Sequence, residues 1–192
     1  MKYMMTIALL GTLFTANPAW AGFQKTEWYD SPKEVIAKQN IPKDKRVWDR
    51  GSPQSTLMHE TTFAGANAVI GYVFVSRKLV RVTVAFTDTH IQKTKHLEDF
   101  DQIDAKLARV YGEAELQAKW SGDLYKDTPN KYGIAVAVGD LSMHTLRISG
   151  DLKVLHMLKG GNFEIRHTLS YFTDETFKSE NAALDRAHDA DL

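Results

Sequence analysis

Histidine is the residue type in this chain most able to do chemistry, and His156 and His167 are the pair whose spacing invites it. They sit in "LKVLHMLKGGNFEIRHTLSYF", two alternating runs separated by glycines. A two-residue turn at Gly160-Gly161 places His156 opposite Ile165 and His167 diagonal to it on the same sheet face, within reach of a shared ligand. One extra loop residue would put the two rings on opposite faces. Paired imidazoles suit a metal ion or an acid–base step. A zinc site wants three or four ligands, and the sequence sets no carboxylate or third histidine plainly beside them. The residues therefore point first to two histidines at the border of a core, with His156 and His167 kept as weak metal candidates and no metal or cofactor assigned.

Other chemistries fare worse. "LMHETTF" contains His59-Glu60, but His-Glu-x-x-His needs a histidine where Phe63 stands. "FTDTH" brings Asp88 and His90 close at a strand end, yet no Gly-x-Ser-x-Gly elbow accompanies them. With no cysteine in the chain, cysteine catalysis is excluded. "LKGGNFE" lacks the lysine and glycine spacing of a phosphate loop. No catalytic residue is assigned. Six aromatics lie in or beside expected loops: Trp28, Tyr29, Trp48, Trp120, Tyr125 and Tyr132. They serve either as lids on a core or as anchors for a partner, since Trp and Tyr dominate binding hot spots.

The elements that must position these residues follow from local pattern. "SPKEVIAKQN" opens with Ser31 as N-cap, Pro32 at the first helical position and Glu34 three after the cap, a capping box. "LVRVTVAF" alternates, with Val80, Val82, Val84 and Phe86 on one side, and reads as a half-buried strand. "VIGYVFV" before it reads as a central strand, and "LMHETTFAG" as a third. "PKDKRVWDRGSPQS" is turn-rich and reads as a loop around Trp48. Leu97, Phe100, Ile103, Leu107, Val110 and Tyr111 form the apolar stripe of the main helix, with Thr94 placed to cap it and Gly112 to end it. "IAVAV", "LSMHTLRI", "LKVLHML" and "FEIRHTLSYF" read as four strands whose short separators demand antiparallel pairing.

The expected fold class is therefore α+β: one or two antiparallel meander sheets with two main helices on one face, arranged as helix plus meander, twice. The expected domain is residues 22–172, with halves 22–92 and 93–172. Residues 173–192 read as a polar, acidic tail, either frayed or carrying a helical turn or two over Asn181–Ala190.

The N-terminus "MKYMMTIALLGTLFTANPAWAGF" has a lysine, an apolar run, Pro18 and then Ala19-Trp20-Ala21. This is the order of a secretory signal peptide, residues 1–21, cleaved after Ala21. The run is too short for a membrane span. Without cysteine there is no lipid anchor and no disulfide. Basic and acidic residues balance at 24 each, unlike a nucleic-acid binder. The expected location is the periplasm or the exterior.

In "SPKEVIAKQ" and the meander that follows, Ser31, Glu34 and Val35 resemble the helix-opening phrase of small bacterial envelope proteins of the BamE-like and β-lactamase-inhibitor-protein-like kind. A leading glycine is replaced by Tyr29-Asp30, and in "YGEAE" Ala114 stands where that layout has proline. The resemblance implies a non-enzymatic, protein-binding or inhibitor-like role with another protein of the envelope or periplasm as partner. An envelope-assembly or stress accessory role is the alternative, and a small hydrolase or metal-dependent enzyme is the third.

Overall fold

The computed structural model describes residues 23–190. The expected leader and its cleavage site lie outside the described residues. The elements are α1 (Pro32–Gln39), β1 (Val47–Asp49), β2 (Gln54–Phe63), β3 (Ala66–Val75), β4 (Lys78–Phe86), α2 (Lys95–Tyr111), β5 (Leu116–Trp120), α3 (Tyr132–Val138), β6 (Leu141–Ser149), β7 (Leu152–Gly161), β8 (Glu164–Phe172) and α4 (Asp174–Ala190).

The fold is α+β. One eight-stranded sheet runs β1-β2-β3-β4-β8-β7-β6-β5, every pairing antiparallel. It is two four-stranded meanders, each preceded by a helix, joined edge to edge where β4 meets β8. The centre of the sheet is thus the last strand of each half. The short strands β1 and β5 are left at the rims, and short rims limit pairing with other chains.

Pairing parity separates two faces. On the first face, Leu57, Ile70, Tyr72, Val82, Val84, Val154, Leu169 and Tyr171 form the main core with Phe23, Val35, Ile103 and Leu107. A second cluster joins Phe100, Ala135, Val136, Leu141 and Leu158. Helices α1, α2 and α3 therefore all close this face. The capping box of α1 forms as its sequence dictates: Glu34 N–H donates to Ser31 Oγ, and Ser31 N–H to the Glu34 carboxylate.

Several elements depart from the sequence pattern, each for a local reason. A bulge between Val73 and Phe74 pairs Phe74 with Leu79 and Val73 with Arg81, leaving Val80 extra. Leu79 consequently joins the main core, while Val80 turns to the other face beside Val73, Val75 and Ala183. The run "IAVAV" is helix α3 rather than a strand. Short apolar runs do not reveal their own period, and here tertiary fit decides. A Cβ on Gly133 would meet the Lys93 backbone carbon at 2.4 Å, so the bare glycine lets α3 seat against the entry to α2. Trp48 lies in β1, not in a loop, and β5 was not anticipated. Thr94 makes no side-chain cap, and Val110 stands outside the stripe at the surface.

The segment read as a tail is helix α4. Thr176, Glu180 and Ala183 give it a buried side that packs on Val73, Val75 and Val80. Arg81 and Gln54 both reach the Glu180 carboxylate at 2.8 Å. This helix lies on the second face of the sheet, over one end of β3 and β4. The expectation of helices on one face alone is corrected accordingly.

Candidate functional site

The hairpin β7–β8 turns at Asn162-Phe163, not at Gly160-Gly161. Both turn residues have positive φ, 52° and 65°, and the Phe163 N–H is held by Ala137 O at 2.9 Å. The glycine at 160 has another purpose: a Cβ there would meet Val136 O at 2.3 Å, so it admits the end of α3. The turn is displaced by two residues, and an even displacement preserves facing. His156 now pairs with Leu169, and His167 with Leu158. The two rings remain diagonal neighbours on the first face, with His156 Nε2 to His167 Nε2 at 2.7 Å.

The carboxylate that the sequence left unseen is Asp104, on α2. His156 Nδ1 lies 3.1 Å from its Oδ1. Arg147, from β6, donates Nη1 to Oδ1 and Nη2 to Oδ2, both at 2.8 Å, and Nε to Gly112 O at the end of α2. Thr145 Oγ1 donates to the same Oδ1 at 2.7 Å. Burial alone would raise the Asp104 pKa, but these bonds from Arg147, Thr145 and His156, with the guanidinium charge, hold it well below the ordinary carboxylate range.

This anchored carboxylate fixes the protons of both rings. A carboxylate can only accept, so His156 Nδ1 carries a hydrogen and its Nε2 accepts. His167 Nε2 must then donate, leaving His167 Nδ1 as the free lone pair. Burial pushes the His156 pKa down to about 4, against the pull of Asp104. Burial, then the neighbouring His156 and His96, push His167 down to about 3. Both rings are neutral at pH 7. Phe100 stacks on His156 with centroids 3.9 Å apart, and Phe86 packs on His167 at 4.4 Å.

His167 lines a cleft of about 150 Å³ between the β2–β3 turn, the end of β4, α2 and β8. Asp88, His96, Asp99, Gln102 and Lys106 share its wall. No hydroxyl or thiol side chain is among its lining residues. The cleft is smaller than the several hundred Å³ of a typical organic-ligand site. At its mouth, ligand atoms of His90, His96 and Asp99 lie within 4.8 Å of one another. His90 Nε2 sits 2.5 Å from Asp99 Oδ2.

The six aromatics do not converge. Trp48 packs on Phe74, and Trp28 borders the main core. Trp120 and Tyr132 meet edge to face at 5.1 Å, and with Tyr125 they border the second cluster. Tyr29 is the most exposed of them, with Lys78 Nζ 5.9 Å from its ring centre. They thus form two groups, one beside each meander.

A second feature was illegible in the sequence. On the second face, one row reads Leu146, Leu155, Ser170, Thr83, Gly71, Met58 and Val47 from β6 to β1. α4 packs over the β3–β4 end of this face, and its first turn reaches β7 and β8 through Lys153–Asp174 and Phe172–Phe177. Leu146 and Ile148 on β6 remain 43% and 62% exposed. Beyond them Lys159 stands opposite Arg166, and Lys119 opposite Ser142. Among the described residues Lys119, Lys159 and Arg166 form no ion pair. No helix among the described residues is long and apolar enough to cross a membrane. Comparison with protein-family models, curated proteins and solved structures gives no match to this chain.

Proposed function

We propose that the chain is exported, loses residues 1–21, and acts as a non-enzymatic protein-binding module of the periplasm. The observation that carries this reading is the open second face of the sheet. Three helices close the first face, whereas on the second α4 reaches β7 and β8 at Lys153 and Phe172 and leaves Leu146 and Ile148 of β6 largely in water. That surface has an apolar centre at Leu146, Ile148 and Leu155, and a basic edge at Lys119, Lys159 and Arg166. Glu164 is the one carboxylate on that stretch of β8. The partner it fits is a folded protein with an apolar centre and an acidic rim, because exposed apolar patches rimmed by charge mark interaction sites and opposite charge steers the encounter.

The test is capture from periplasmic extract by tagged wild-type protein and by two variants. Leu146→Asp on the open face should abolish capture while leaving the thermal midpoint within a degree or two, because the side chain is already half in water. Val110→Asp, on the exposed side of α2, should leave capture intact. Equal capture by all three proteins would remove the second face from the account.

A further inference from the structure

We propose that His90, His96 and Asp99 bind one divalent transition-metal ion at the mouth of the cleft. Two imidazoles and a carboxylate are the donor set of zinc and of neighbouring first-row metals, not of magnesium or calcium, which take oxygen ligands. The chain supplies them from one short stretch. His90 stands in the middle of the loop between β4 and α2, and His96 and Asp99 follow one helical turn apart at the start of α2, so both project to the same side.

Two observations single this trio out from an ordinary surface cluster. His96 is 6% exposed, yet neither of its ring nitrogens has a hydrogen-bond partner among the described residues. The ring lines the cleft, and its nitrogens are not among the buried polar atoms closed off without a partner, so an ion in the cleft can reach them. His90 and Asp99 are already in contact, with the His90 ring 4.7 Å from that of His96. A metal would replace the hydrogen between His90 and Asp99, spread those two donors and draw the third in, to the roughly 3.3 Å ligand spacing that tetrahedral zinc bonds of about 2.0–2.1 Å require. Behind the trio, His167 lines the same cleft with its unengaged Nδ1, its ring fixed through His156 by Asp104. This is the outer arrangement by which proteins orient imidazole ligands.

Cobalt chloride, then zinc chloride, titrated into the purified untagged chain tests the site, with calorimetry and visible absorption as readouts. The expected result is one equivalent of cobalt with the d–d absorption of a low-coordinate nitrogen–oxygen site, displaced by zinc. His96→Gln, His90→Gln and Asp99→Asn should each weaken binding tenfold or more, and His144→Gln, on the opposite sheet face, should not. If His96→Gln fails to fold, the half-exposed His90 and Asp99 variants decide. Absence of one-to-one binding by the wild type, or binding that survives both of those substitutions, would overturn the proposal.

Discussion

At the residue scale, Arg147 and Asp104 hold the centre of the first face, and their burial is unequal. The Arg147 side chain is fully buried, while that of Asp104 keeps some contact with water. Asp104→Ala strands a buried guanidinium and is expected to cost about 3–5 kcal/mol. Arg147→Met leaves a carboxylate that can turn outward, and is expected to cost distinctly less; urea denaturation of both variants checks the order. The two histidines give a pH dependence. Their folded pKa values lie at about 4 and about 3, below the ordinary 6.5. On acidification the unfolded chain takes up protons first, so stability is intact above pH 6.5 and falls as the pH drops toward 3, by at most about 1.4 kcal/mol per pH unit for each ring. His167→Gln, which can still donate to His156, should flatten the decline between pH 6.5 and 5 in thermal melts. Little of this network could be read in advance. The pairing of His156 with His167 followed from strand parity, which survived a turn displaced by two residues. Asp104 was hidden as the polar neighbour of Ile103 on the main helix. Arg147 was hidden because β6 inverts the usual order, with Thr145 and Arg147 inside and Leu146 and Ile148 outside.

At the element scale, backbone approach decides what side-chain pattern leaves open. The capping residues of α1 and the stripe of α2, Val110 excepted, were legible because their signals are local and their periods long enough to register. "IAVAV" was not, because a run that short has no period of its own. Its helical state rests on two glycines, Gly133 and Gly160, whose roles exist only in the assembled fold. Gly160→Ala forces α3 off the sheet and should destabilise by about 1–3 kcal/mol, as overpacking does. Gly161→Ala meets nothing within 4 Å and should be near neutral. Equal effects in a denaturation series would mean that α3 does not seat there.

At the scale of the whole molecule, the twofold succession of helix and meander was readable from the spacing of turns. That the halves share one sheet was not, because the β4–β8 seam joins strands far apart in sequence. The seam places the core of both halves on a common face and is expected to make unfolding a single cooperative transition by calorimetry, rather than two. It also leaves Leu146 and Ile148 of β6, with Lys159 and Arg166 at the far ends of β7 and β8, exposed on the second face, and the proposed function stands on that surface. The most direct test is equilibrium affinity for the captured partner, measured for wild type and for Lys159→Glu/Arg166→Glu. The account predicts a loss of at least tenfold and a marked weakening with added salt. Unchanged affinity in that double variant, with binding lost instead on Trp120→Ala in a chain that still folds, would contradict it and return the partner to the loop aromatics.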